Sequence, residues 1–248
     1  MTMKTIILIP SRLASTRLPN KPLKDIGGVP MIIRVLDSAQ KSDLGRVAVV
    51  TPDQDIGSVV ESAGGEYILT KNSHISGTDR IMEALHKVDP NRKFDTVVNL
   101  QGDIPFIPPN YIKIAVGLLN DEKTDIGTLI SPLNKNEILN PNVVKVAMGL
   151  KRNNLTGRAV YFSRLPVPYN AEDYYQHIGI YTFRRSALEK FCSTPQTTLE
   201  KREKLEQLRA LELGMNIYAS LVSKPPIGVD TKEDLEEVRK KLLLNDKV

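Results

Sequence analysis

Hydrophobic positions alternate between two rhythms through the first half of the chain. Thr5–Ile9 is an unbroken β-forming run that stops at Pro10, which predicts a strand covered on both faces. Met31, Ile32, Val35, Leu36 and Ala39 recur at helical spacing and predict a core-facing helix over Pro30–Ser42. The alternation continues with a strand over Arg46–Thr51, a helix over Asp53–Ala63 stopped by Gly64-Gly65, and a short strand over Glu66–Leu69. A helix through Ile81–Val88, a strand over Asp95–Leu100 and a helix opened by Pro108-Pro109 and reaching Leu119 complete this half. Such a β-α-β-α order implies a doubly wound α/β fold with a parallel sheet and right-handed crossovers.

The second half is less regular. Strands are expected over Asp125–Ser131, Asn142–Met148, Arg158–Ser163, Ile178–Phe183 and Asn216–Val222. Lys151–Gly157 reads as a polar turn, and Leu165–Asp173, with its prolines, carries no pattern. Short and long helices are expected over Arg185–Phe191 and Leu199–Leu213, the second with leucines among charges that face solvent. A charged helix over Thr231–Leu244 closes the chain. No repeat or linker interrupts the sequence, so we expect one domain over 1–248 with a small antiparallel extension at about 130–185.

Composition narrows the function only a little. A hydrophobic content of 41% in 248 residues is enough for a globular core. A single cysteine excludes an internal disulfide. The absence of a signal-peptide pattern and of a long apolar run points to a cytoplasmic protein with no membrane insertion. A net charge of +5 suits an anionic substrate as well as nucleic acid. Aromatics are only 5% and no helix carries a one-sided run of Lys and Arg, which argues against nucleic acid.

Chemistry concentrates after the strands, where open α/β sheets bind ligands. The loop after the first strand carries Arg12, Arg17 and Lys21. Arginine offers phosphate a planar fork of donors, and lysine a compact charge. The loop has no glycine before Gly27-Gly28, so it is neither a P-loop nor a dinucleotide fingerprint. Ser76–Arg80 and Gln101-Gly102-Asp103 follow later strands. Asp103 reads equally as a turn former or as a Mg²⁺ ligand, since Mg²⁺ takes one or two carboxylates beside phosphate oxygens. Asp230 or Thr231 reads locally as the N-cap of the closing helix, with Asp230 preferred over a metal role. His177, His74 and His86 show no zinc spacing. The residues alone describe a nucleotide-handling transferase without a P-loop.

The motifs carry a more specific resemblance. I-P-S-R-L-A-S-T-R-L-P-N-K-P-L at the start, H-I-S-G-T-D-R at 74–80, V-N-L-Q-G-D at 98–103, N-P-N-V-V-K at 140–145, Y-F-S-R at 161–164, H-I-G-I-Y at 177–181, L-E-Q-L-R at 205–209 and G-V-D-T-K-E-D-L at 228–235 follow one another along the chain. In this order they resemble the 3-deoxy-manno-octulosonate (Kdo) cytidylyltransferase family, the CMP-Kdo synthetases. The resemblance implies a Rossmann-like nucleotidyltransferase fold with a mixed, mostly parallel sheet and an extension used for dimerisation. It implies CTP and Kdo as substrates, Mg²⁺ as cofactor, a homodimer, and a place in lipopolysaccharide synthesis. Pro10, Arg12, Arg17, Lys21, Ser76 and Arg80 would bind the nucleotide. Asp103 and Asp230 would hold the metal, and with Arg12 and Lys21 would be catalytic. Gln101, His177, Glu206 and Gln207, with Arg158, would take the sugar. The rival acceptors are sialic-acid-like sugars and an amino analogue of Kdo. Two positions depart from the family pattern: Ile104 stands where an acid is usual beside Asp103, and Asp79 stands where Glu is common.

Overall fold

The computed structural model of the chain describes residues 3–15, 17–150 and 154–245. In chain order the elements are β1 (Thr5–Pro10), β2 (Asp25–Ile26), β3 (Val29–Pro30), α1 (Met31–Gln40), β4 (Gly45–Thr51), α2 (Gln54–Ser62), β5 (Tyr67–Leu69), α3 (Gly77–Val88), β6 (Thr96–Leu100) and α4 (Pro109–Gly117). They continue with β7 (Ile126–Pro132), β8 (Lys145–Met148), β9 (Thr156–Ser163), β10 (Tyr175–Arg184), α5 (Arg185–Cys192), α6 (Thr198–Glu203), α7 (Gln207–Glu212), β11 (Ile217–Leu221) and α8 (Lys232–Asn245). The chain forms two compact units: Met1–Phe94 with Asn99–Ile112 and Pro226–Val248, and Asp95–Val98 with Lys113–Pro225.

In the first unit, β4 pairs in parallel with both β1 and β5. Ile6–Ile9 and Ala48–Val50 are fully buried, as expected for strands with no polar face. Each buried Ile, Leu or Val among them contributes about 1.5–3 kcal/mol by leaving water. The loop after β1 is tied to the core by Leu18, which packs with Ile26, Met31, Val229, Leu235 and Val238. A hairpin of β2 and β3 turns at Gly27-Gly28, both at positive φ (61° and 78°), a turn that only residues without a Cβ adopt easily. The sequence reading missed this hairpin because its strands are two residues each.

In the second unit the order is β10-β7-β11-β9-β8. β11 and β7 run parallel, and the other neighbours are antiparallel. β8 also returns to β10 through Gln176 and Lys145, so this small sheet curls back on itself. Lys145 lies at that junction with no exposed surface, and its Nζ donates to the carbonyls of Asn140 (2.5 Å) and Arg164 (2.9 Å). The sheet is therefore mixed, in line with the fold class expected.

Two expectations need correction. The expected helix over Leu199–Leu213 is two helices, α6 and α7, broken where Lys204 adopts the left-handed conformation (φ 55°). Its charges are not all solvated either: Glu200, Gln207 and Arg209 are buried, with Arg209 Nη2 at 2.6 Å from Glu200 Oε1. The turn expected over Lys151–Gly157 gives way at Thr156, where β9 begins; residues 151–153 lie outside the described residues. Among the described residues no helix is long and apolar enough to cross a membrane.

Candidate active site

A cleft of about 380 Å³ lies in the first unit, at the carboxyl ends of β1 and β6 and the start of α3. Three chain segments meet there around Pro10, and glycine permits the meeting. A Cβ at Gly102 would stand 3.1 Å from the Pro10 carbonyl oxygen, and one at Gly77 would stand 3.1 Å from Pro10 Cγ. Ser76 caps α3: its Oγ accepts from the Asp79 N–H (3.1 Å) and donates to the Asp79 carboxylate (2.8 Å). Asp79, where Glu is usual, thus holds the capping hydroxyl through its own carboxylate. Pro10, Ser76 and Gln101 all line the cleft. Gln101 is steadied by Asn99, whose own amide donates to Thr78 at 3.2 Å.

The phosphate loop is aimed by local geometry. Asn20 takes the left-handed conformation that its short polar side chain tolerates. One 3₁₀ turn over Lys21–Leu23 follows, with Pro22 buried. This turn directs the Lys21 ammonium to Asp103 Oδ2 (2.8 Å) and Asp230 Oδ1 (2.9 Å), while Arg17 reaches the same Asp230 oxygen at 3.2 Å. Burial lowers the Lys21 pKa, but Asp103 and then Asp230 outweigh it and hold it above the ordinary value. Arg12 is exposed and lines the cleft. Thr16 lies outside the described residues.

Of the two residues expected as caps for α8, Thr231 takes the role and Asp230 does not. Thr231 Oγ1 accepts from the Asp234 N–H (3.2 Å), and the Asp234 carboxylate accepts from the N–H groups of Thr231 (2.8 Å) and Asp230 (2.9 Å). The Asp230 carboxylate is left to face the cations. Asp103 Oδ2 and Asp230 Oδ1 therefore converge on one point, which suits a hard divalent ion. Among the described residues no group of three or more His, Cys, Asp or Glu is placed to hold a metal ion. Any metal here would complete its shell with water and phosphate oxygens, the mode Mg²⁺ prefers. Ile104, the departure beside Asp103, turns into the core at 6% exposure.

Arg80 lines the cleft but is itself 3% exposed. Its Nη1 donates to Thr70 Oγ1 (2.7 Å) and to the Lys71 carbonyl (3.1 Å). Burial, with Arg12 next, lowers its pKa. Its neighbour Glu83 anchors the segment before α3: it pairs with His74, accepts from the Lys71 N–H at 3.1 Å, and meets Lys87 at 2.7 Å. Burial alone would raise the Glu83 pKa, yet these contacts, Lys87 and His74 foremost, bring it down to about 2.

The remaining sugar candidates lie in the second unit. His177, on β10, contacts Thr128 Oγ1 at 2.9 Å and lies edge-on to Phe162. Burial pushes its pKa down to about 3, so the ring is neutral. Glu206 and Gln207, at the start of α7, line a small hollow with Ile126, Tyr181 and Phe183. Burial, and then Glu206, raises the Tyr181 hydroxyl well above its ordinary pKa. Arg158 is exposed on β9, paired across to Tyr218 of β11. The chain thus brings Pro10, Arg12, Arg17, Lys21, Ser76, Arg80, Gln101 and Asp103 into one cleft, with Asp230 bonded to Lys21.

Two supporting residues went unread in the sequence. Asp53, expected only to open a helix, accepts the Leu13 N–H at 2.7 Å and so pins the phosphate loop. Ser11 is 7% exposed at the cleft, and its Oγ has no hydrogen-bond partner among the described residues. Only a fold-level argument, that β1 and β4 end side by side, could have found the first.

A cytidylyltransferase family model matches residues 6–217. A 3-deoxy-manno-octulosonate cytidylyltransferase of Rhodopseudomonas palustris (strain BisB5) is 52% identical over 239 residues, covering 96% of this chain and 97% of its own. The enzyme of the same name from Brucella anthropi is 51% identical, covering 96% of each. A solved CMP:2-keto-3-deoxy-manno-octonic acid synthetase complexed with CTP superposes with a TM-score of 0.89 at 38% identity, over 98% of this chain and 99% of that one. A 4-diphosphocytidyl-2C-methyl-D-erythritol synthase from Anaerococcus prevotii, 14% identical with a TM-score of 0.64 over 97% of this chain and 99% of its own, shares the fold alone. A match over most of the length, with relatives half identical from end to end, makes this chain a member of the cytidylyltransferase family, in its 3-deoxy-manno-octulosonate branch.

Proposed function

We propose that the chain joins CTP to Kdo, giving CMP-Kdo and pyrophosphate for lipopolysaccharide synthesis in the cytoplasm. The observation that carries this reading is the charge arrangement of the first unit. Four cations line the cleft, two carboxylates meet at Lys21, and the chain is half identical to curated 3-deoxy-manno-octulosonate cytidylyltransferases.

The anomeric hydroxyl of the sugar attacks the α-phosphorus in line. The new oxygen–phosphorus bond forms as the bridge to pyrophosphate breaks, and the hydroxyl proton leaves to water. Positioning and charge do most of the work in such a transfer. Arg12 and Arg17 offer forked donors to the phosphate oxygens, and Lys21 adds a point charge near the reacting phosphorus. Ser76 holds the start of α3 in place, and Arg80, which lines the cleft that would take the cytidine, braces Thr70 and Lys71. Asp103 and Asp230 would hold Mg²⁺, which when bound offsets charge on the triphosphate and the leaving group. We assign acceptor recognition in the second unit to Glu206 and Gln207, with neutral His177 as a hydrogen-bonding neighbour; Arg158 lies on an exposed strand position and is the weakest member of the set. Gln101 serves the cleft of the first unit.

We also propose a homodimer formed through the second unit. Leu155, Val160, Leu165 and Tyr169 are 61–98% exposed there, and a second copy seated on them would take that apolar surface out of water. Light scattering after gel filtration checks it: twice the chain mass is expected, and a monomer at micromolar concentration would refute it.

The test of function is pyrophosphate release from CTP and Mg²⁺ with each of three acids: Kdo, its 8-amino analogue and a sialic acid. Turnover is expected with Kdo. Faster turnover with either rival would replace the acceptor, and no turnover with any would reject the activity.

A further inference from the structure

We propose that Lys21 is a built-in counter-ion for Asp103 and Asp230, so that a divalent cation is admitted with the nucleotide and not before it. This rests on the reading of those two carboxylates as the metal ligands. The Lys21 ammonium is 2.8 Å from one carboxylate oxygen and 2.9 Å from the other. A cation binding both oxygens would sit at about 2.1 Å from each, so ammonium and metal compete for one position. The Lys21 side chain is 16% exposed, against 33% for Asp103 and 45% for Asp230, so water screens the clash only in part. Arg17, at 3.2 Å from Asp230, supplies a second positive charge. Two carboxylates thus face two cations, and the free protein leaves no net negative charge to attract a metal.

The triphosphate changes that balance. Its oxygens are better partners for a guanidinium fork and an ammonium than carboxylates already shared between them. As Arg17 and Lys21 turn to phosphate, both carboxylates come free just as new phosphate oxygens arrive to complete a metal shell. Nucleotide and metal then favour each other's binding, and by linkage the effect is equal in both directions. The loop residue that grips phosphate is in this way the same residue that keeps the metal out until phosphate is present.

Mn²⁺ binding to the whole chain without nucleotide, read by electron paramagnetic resonance, tests this directly. Wild type should bind in the millimolar range, and Lys21→Met at least about tenfold tighter. Lys21→Gln, which keeps a hydrogen-bonding group, serves as the second variant should the methionine melt too low. The melting temperature gives an independent readout: MgCl₂ alone should raise it in the Lys21 variants and leave wild type unmoved, whereas MgCl₂ added with CTP should raise it in wild type. Equal or weaker Mn²⁺ binding by both variants, or micromolar binding by nucleotide-free wild type, would overturn the proposal. Adding Asp103→Asn to Lys21→Met should abolish the gained affinity; if the gain survived, the metal assignment itself would fall.

Discussion

Arg209→Met is the sharpest test of what holds the second unit's candidate residues in place. Arg209 is 3% exposed and Glu200 4%. Two hydrogen bonds join them, Nε to Oε2 at 2.8 Å and Nη2 to Oε1 at 2.6 Å. Nη1 also reaches the carbonyls of Phe191 (3.3 Å) and Thr194 (3.2 Å), and the guanidinium lies over the Phe191 ring at 4.3 Å. Methionine fills much of the space but, among the described residues, leaves the buried carboxylate the Thr197 N–H (3.1 Å) and Gln196 (3.3 Å) as its partners. Removing one side of a buried pair costs about 3–5 kcal/mol, and these residual partners place the expectation near ~3 kcal/mol. Glu200→Leu alone should cost about as much, because it strands the guanidinium. The double variant loses both charges together, so it should lie only ~1–2 kcal/mol below wild type, giving a coupling energy of ~4 kcal/mol. The chain has no tryptophan, so urea unfolding is best followed by far-ultraviolet circular dichroism.

The pH dependence adds an internal check. Burial works to raise the Glu200 pKa, but Arg209 and the Thr197 N–H outweigh it and keep it low. That pairing stabilises wild type above the unfolded carboxylate pKa and is lost as pH falls through the folded one. In Arg209→Met burial dominates, the pKa rises, and protonation relieves the buried charge. The gap between variant and wild type should therefore narrow below about pH 5. A single-variant cost under ~1 kcal/mol, or additive costs in the double variant, would refute the reasoning.

Asp103→Asn should abolish turnover, at least hundredfold, and weaken its Mg²⁺ dependence while the melting temperature moves little; near-normal activity would remove Asp103 from the metal site. His177 has a folded pKa of about 3, below its unfolded value, so its contribution is full above pH 6.5 and is lost as pH falls. The loss should be about 1 kcal/mol between pH 6.5 and 5 after allowance for its partial exposure, and His177→Asn should flatten that acid slope in melts, an unchanged slope counting against it. Gly102→Ala should weaken CTP binding several-fold, because its Cβ would press on the Pro10 carbonyl oxygen 3.1 Å away; calorimetric titration with CTP gives the answer, and unchanged affinity would show that Pro10 can yield.

Legibility followed the physics of each segment. β1 and β4 are buried on both faces, so their unbroken apolar runs could be read directly. The three segments that meet at Pro10 were legible too, because the parallel fold sends strand ends to one side. Leu199–Leu213 misled because leucine spacing reports a helical face and says nothing of one residue leaving the helix. Lys204 is no turn former by type. Tertiary contacts hold it: Arg164 donates to the carbonyls of Glu203 (2.8 Å) and Lys204 (3.3 Å) from forty positions away. Asp53 and Glu83 act through backbone groups far along the chain, and nothing in their neighbourhoods marks that role.

The box at the start of α8 separates two duties that the sequence writes in adjacent letters. Thr231 and Asp234 begin the helix without help from the Asp230 side chain. Asp234 also grips the Asp230 backbone N–H at 2.9 Å, so the orientation of that carboxylate is inherited from a residue that never faces the cleft. Replacement of the Asp230 side chain can silence chemistry in a chain whose last helix still winds. Loss of Asp234 would unsettle both at once, and a screen for activity alone would mistake an orienting residue for a reacting one.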